Sequence, residues 1–180
     1  MTKEFPFLIN KIDEFIRKYY KNQLLKGGLF ALGTLAAFFI IINLLEYFGN
    51  FNITFRTILF YLYLSANIFI LYFLVIIPIA KLYRFGKIIS YEDAAIIIGK
   101  HFPEIKDKLL NTLQLQKLGE NAHYNNEILN AGIDQKIKEL KPVPFAGAVD
   151  LSQNRKYIKY ILPPLMIILV LLFADPSVIT

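Results

Sequence analysis

The stretch TILFYLYLSANIFILYFLVIIPIA, residues 57–80, runs for 24 positions without one charged side chain. As a helix at ~1.5 Å per residue it reaches ~36 Å, enough to cross a ~30 Å hydrocarbon core with some tilt. A buried core helix has little use for that length without a charge. In lipid the requirement is direct: the bilayer offers the backbone no hydrogen-bond partner, and a helix supplies its own. Pro78 falls near the end, where neighbouring groups can repair one freed carbonyl. A span over about 57–82 is expected.

Upstream, GGLFALGTLAAFFIIINLL, residues 27–45, is also free of charge and predicts a span over about 27–47. It is longer than the ~7–15 residue core of a signal peptide and no small-x-small cleavage pattern follows, so it is expected to stay as an anchor. Phe48 to Arg56 contains Gly49, Asn50 and Asn52, which favour a tight connection, so residues 27–82 are expected to form an antiparallel transmembrane hairpin. Downstream, Tyr160 to Ala174 is the shortest apolar run. Its 15 residues reach only ~22 Å. It crosses if Tyr157 and Lys159 contribute with the lysine snorkelling, which gives a third span over 155–175, kinked at Pro163 and Pro164; the alternative is a re-entrant or interfacial segment.

The remainder is polar by comparison. Residues 1–26 form a basic amphipathic lead, with Leu8, Ile12, Phe15 and Tyr19 at helical steps and Lys11, Lys18 and Lys21 between them. Two placements are open: on the membrane surface with the lysines toward headgroups, or packed on the segment 88–150. That segment reads as a small helical insert. Ser90 and Asp93 open one helix, carrying Ala94, Ile97 and Ile98 on one side. Pro103 opens a second with Ile105, Leu109 and Leu113. Gly119 to His123 reads as a turn, and Ile128, Leu129, Ile133, Ile137 and Leu140 as a third helix. Lys141 to Asp150 reads as an extended return. So short an insert has little core of its own and should lean on the lead or a partner.

The whole chain is 56% hydrophobic and 19% charged, where soluble domains sit near 45–50% and about 25%. Its net charge of +6 is not a nucleic-acid signature, because the cations flank the apolar runs. Of twenty Lys and Arg, six lie in the lead, Arg56 alone lies in the first loop, thirteen lie from Lys81 to Lys159, and none follows. The positive-inside rule then predicts a bacterial inner-membrane protein with the N-terminus and residues 81–159 cytoplasmic, and 48–56 and the C-terminus outside. Tyr47, Tyr61, Tyr63, Tyr83, Tyr157 and Tyr160 lie near span ends, as interfacial rings do.

Nothing reads as a catalytic, cofactor or metal site. There is no cysteine and no phosphate-binding glycine loop. Thr34, Asn43, Ser65 and Asn67 are the polar residues within the spans; the two asparagines sit ~6 Å and ~15 Å from their outer ends, too different in depth to pair. Gly33 and Ala37 form a small-xxx-small step suited to close helix contact. Glu46 and Arg56 are placed to pair at the outer interface. His101 and His123 lack companion ligands. Glu92 and Asp93 suit a helix start, and Asn52-Ile53-Thr54 matches a common glycosylation triplet.

The stretch Ile12 to Leu24, IDEFIRKYYKNQL, resembles the start of a family of large Bacteroidota envelope proteins that carry a domain-of-unknown-function label. ISYEDAA from Ile89, IGKHFPEIKDKLLNTLQL from Ile98 to Leu115, and LKPVPF from Leu140 resemble it too. The resemblance implies an N-terminal membrane block followed by a long extracytoplasmic region, with no activity or catalytic residue to transfer. Such proteins continue for hundreds of residues where this chain stops at Thr180, which suggests a truncated member. The expectation is an all-α membrane protein with three transmembrane helices, an amphipathic N-terminal helix and a cytosolic helical insert. Its role would be a non-catalytic anchor or scaffold, its partners the lipid bilayer and a protein docked on the insert. A subunit of a small oligomeric transporter or channel is the alternative, with Asn67 and the Pro163–Pro164 kink its only support.

Overall fold

The computed structural model describes residues 4–121 and 127–174, and among them there is no strand. Helix α1 (Phe5–Gly49) runs 45 residues without a break, so the lead and the first apolar run are one helix. Gly27 and Gly28 would each cost about 1 kcal/mol against alanine, yet strong formers such as Leu24, Leu25 and Ala31 flank them. Helix α2 (Ile53–Leu82) starts four residues before the expected Thr57. The reason is a cap: Asn52 is extended at φ −67, ψ 164, and its side-chain oxygen accepts from the Phe55 N–H at 3.0 Å. The link expected over 48–56 therefore shrinks to 50–52, where Asn50 takes the left-handed φ of 41 that asparagine tolerates.

Inside α2, Tyr72–Ile76 widen into a π turn, with the Ile77 N–H donating to the Tyr72 carbonyl five residues back. Pro78 explains it. The proline ring crowds the carbonyl four residues earlier, that of Leu74, and brings no N–H to it, so the preceding turn opens.

Helix α3 (Tyr91–His101) begins as the sequence indicates: the Asp93 N–H donates to Ser90 Oγ at 3.0 Å, and that hydroxyl donates to Asp93 Oδ2 at 2.7 Å. A 3-10 turn, Pro103–Ile105, leads into α4 (Lys106–Asn121). Gly119 is thus still helical, against the expected turn at 119–123, whose last two residues, Ala122 and His123, lie outside the described residues. Helix α5 (Glu127–Leu140) follows. The expected extended return is instead partly coiled, with 3-10 turns at Phe145–Ala148 and Leu151–Asn154. Helix α6 (Arg155–Ala174) passes through Pro163 and Pro164 without interruption and gives the last apolar run 20 helical residues, ~30 Å.

The chain divides into two compact units, residues 1–19 with 86–150 and residues 20–85 with 151–180. The first has a conventional core. Leu8, Ile12 and Phe15 of α1 are buried, as are Ala94, Ile98, Leu109, Ile133, Ile137, Leu140 and Phe145. Lys108 Nζ donates to Glu139 Oε2 at 2.7 Å, tying α4 to α5 at the surface. Of the two placements open to the lead, the apolar face is covered by this unit. The second unit is the reverse: none of the described residues of Ile53–Leu71 is buried, and Ile53, Tyr61 and Phe69 are 84%, 63% and 65% exposed. Three helical stretches are long and apolar enough to cross a membrane, Phe5–Gly49, Ile53–Leu82 and Phe145–Ala174.

Candidate functional site

The polar side chains within the apolar helices turn inward on their own backbone. Asn43 Nδ2 donates to the Phe39 carbonyl and Asn67 Nδ2 to the Tyr63 carbonyl, both at 2.8 Å. Thr34 bonds the Phe30 carbonyl and Ser65 the Leu62 carbonyl in the same fashion. A hydroxyl or amide at helical spacing finds a carbonyl three or four residues back without any neighbour's help. The structure brings none of these four residues to another.

The close approaches are made elsewhere, by backbone. Gly27 and Gly33 are both buried on α1. A Cβ on Gly27 would collide with the Leu74 carbonyl oxygen, and one on Gly33 would stand 3.2 Å from the Tyr160 carbonyl oxygen. Each of those carbonyls is four residues before a buried proline, Pro78 for Leu74 and Pro164 for Tyr160, and so lacks its usual i+4 donor. Glycine lets a neighbouring backbone lie against each carbonyl, where its Cα–H groups offer a weak interaction of about 0.5–1 kcal/mol. The small-residue step at Gly33 pointed to one of these contacts; nothing in the sequence marked Gly27 over its neighbour Gly28. Beside them, Asn154 Nδ2 donates to Asn22 Oδ1 at 2.6 Å, and Phe30 packs against Tyr157 and Tyr160 at 6.5 Å.

Two crevices open in this second unit. One, of about 220 Å³, is lined by Asn43, Glu46, Arg56 and Tyr63 with apolar neighbours. Arg56 Nε donates to Glu46 Oε1 at 3.1 Å across its mouth, the pairing expected from the sequence, with both side chains about half exposed. The other, of about 440 Å³, lies between α1 and the π turn of α2, with Lys26 at its edge and Phe30, Phe73, Leu74 and Pro78 as walls.

In the first unit, Lys11 is the polar node. Its Nζ donates to the carbonyls of Leu140, Lys141 and Val143 at 3.2, 2.7 and 2.7 Å. It stands 4.6 Å from the centre of the Phe145 ring. A helix end leaves its last carbonyls without partners and carries partial negative charge, so an ammonium there satisfies both needs of α5. Burial lowers the Lys11 pKa from its ordinary value, and the charge of Glu14 offsets part of that. Lys141 pairs with Glu4 at 2.7 Å alongside.

The other candidates stay apart. Glu92 pairs loosely with Lys117 at 3.7 Å, whereas Asp93 belongs to the Ser90 cap. His101 is exposed and packs edge-on against Phe102 at 4.7 Å. Asn52 of the glycosylation triplet is the cap of α2. Among the described residues no group of three or more His, Asp or Glu gathers as a metal site would require. No family model, no curated protein and no solved structure matches this chain.

Proposed function

We propose that this protein is an integral inner-membrane anchor or scaffold. Three spans hold it in the bilayer, and a helical unit of residues 1–19 and 86–150 is offered to a partner in the cytoplasm. One observation carries the reading: a helix as apolar as Ile53–Leu71 keeps none of its described residues buried. In water, ten exposed side chains of this type would forgo roughly 15–30 kcal/mol of burial, more than the ~5–15 kcal/mol by which a domain is stable. In hydrocarbon the same surface carries no penalty.

The spacing of contacts supports an up-down-up arrangement. Glu46 meets Arg56 and Gly27 meets Leu74, so positions rise on α1 as they fall on α2. Phe30 meets Tyr157 and Gly33 meets Tyr160, so α1 and α6 ascend together. The lysine distribution favours the orientation with residues 48–56 and the C-terminus outside. The resemblance of the block 89–115 to large envelope proteins favours an extracytoplasmic payload beyond α6.

The test uses the absence of native cysteine. Single Asn50→Cys and Glu104→Cys variants are treated with a membrane-impermeant maleimide in intact spheroplasts and in inverted vesicles. Asn50→Cys should label only from outside and Glu104→Cys only from inside. Labelling of both from one compartment would overturn the topology, and recovery of the chain as a detergent-free aqueous species would overturn the anchor itself.

A further inference from the structure

We propose that the crevice beside Lys26 seats one anionic phospholipid, its phosphate on Lys26 and an acyl chain along Phe30, Phe73 and Pro78. The crevice volume, about 440 Å³, lies in the range of small-ligand sites, ~300–1,000 Å³. Its lining combines one exposed ammonium, Lys26, and the Gln23 amide with aromatic and aliphatic walls, and holds no carboxylate. Lys26 immediately precedes the charge-free run that begins at Gly27, which is headgroup depth for a helix that crosses.

Charge complementarity selects the lipid class. Lys26 and Lys156 each stand 5.4 Å from the centre of the Tyr157 ring, so two ammonium groups attend the same aromatic side chain. Lys159 stands over the next ring, Tyr160, at 5.6 Å. Among the described residues none of these three lysines forms an ion pair. Clustered cations without counter-ions at an interface attract a negative headgroup, each contributing through the surface potential and through contact. A zwitterionic lipid would bring its own cation into that cluster and gain less.

The shape of the crevice follows from the proline. Pro78 opens the π turn, Gly27 admits the Leu74 carbonyl, and these residues line the crevice together with Phe30 and Phe73. The lipid site rests on the membrane reading above.

The test is native mass spectrometry of the whole chain in mild detergent, titrated with phosphatidylglycerol or with phosphatidylcholine of the same acyl chains. Phosphatidylglycerol should bind at several-fold lower concentration. Lys26→Gln should cut that preference about fivefold, the effect of one lysine at a membrane surface. Lys26→Arg should retain it, and Lys100→Gln, in the other unit, should leave it unchanged. Excess inorganic phosphate should not displace the lipid. Equal binding of the two lipids, equal behaviour of Lys26→Gln and Lys100→Gln, or displacement by inorganic phosphate would each overturn the site. A chain that fails the topology test as an aqueous species loses both readings; one that stays in the membrane without lipid preference loses only this one.

Discussion

Gly27 and Gly28 are chain neighbours in one helix, and the structure gives their alanine variants opposite signs. An added Cβ at position 28 meets no atom within 4 Å, so Gly28→Ala brings only the helix-propensity gain, up to about 1 kcal/mol. At position 27 the Cβ collides with the Leu74 carbonyl, a backbone atom that no rotamer change can move. The two helices must separate or shift, an overpacking cost of about 1–3 kcal/mol. With the weak contact also lost, about 0.5–1 kcal/mol more, the total exceeds the propensity gain. Gly27→Ala should therefore be destabilised by roughly 1–3 kcal/mol and Gly28→Ala unchanged or more stable. The assay is loss of helical circular dichroism as SDS is titrated into mixed micelles of the full chain, comparing midpoints at equal slope. Gly27→Ala with a midpoint at or above that of Gly28→Ala would refute the close approach of α1 to the Leu74 carbonyl.

Other consequences are smaller in scope. Lys11→Met removes the donor to three carbonyls beyond and at the end of α5; amide hydrogen exchange over 137–145 in the full chain should report a loss of about 1–3 kcal/mol, with unchanged protection over 57–77. Ser90→Ala should cost about 1 kcal/mol and raise exchange in the first turn of α3 only, since the Asp93 N–H loses its acceptor. The Lys108 hydrogen bond holds the Glu139 carboxyl below the ordinary value of 4.5, so its contribution is present above that pH and lost as pH falls through the lower folded value. In acid titrations, wild type and Glu139→Gln should therefore differ most above pH 4.5 and converge as pH falls through the lower folded value.

The sequence carried the long apolar helices because the signal is an absence: no charge over residues 57–80 and none over 27–45. It carried the first unit's core for a different reason, the helical period of Leu109 and Leu113 and of Ile133, Ile137 and Leu140, all buried. Periodicity fails where every face is apolar. Residues 57–80 look alike on all sides, so hydropathy gives no register and cannot say that Leu74 meets Gly27. Boundaries failed for a local reason: Asn52 reads as a loop residue, and the same short polar side chain that favours a turn is what caps a helix. For Lys11 the sequence leaves both placements of the lead open, headgroups or the segment 88–150, because its partners are carbonyls more than 120 residues away that no local pattern displays.

The two glycine contacts also define what α1 does among the apolar helices. Gly27 and Gly33 are six residues apart, which at 3.6 residues per turn places them about 120° from one another around the axis. One face of α1 thus receives the carbonyl ahead of Pro78 and another the carbonyl ahead of Pro164. In hydrocarbon a proline is costly because it strands an acceptor where water cannot reach, and side-chain hydroxyls are the usual remedy. Here the hydroxyls and amides are occupied with their own helices, Thr34 on Phe30 and Asn43 on Phe39. The acceptors are met by bare backbone instead. A remedy of that kind depends on register and not on residue chemistry, so Thr34 and Asn43 should tolerate apolar replacement far better than either glycine tolerates a methyl group. Thr34→Val and Asn43→Leu should stay within about 1 kcal/mol of wild type in the SDS titration, since each loses only a bond to its own helix. A larger loss for either than for Gly27→Ala would mean that side-chain hydrogen bonds, and not backbone proximity, hold these helices together.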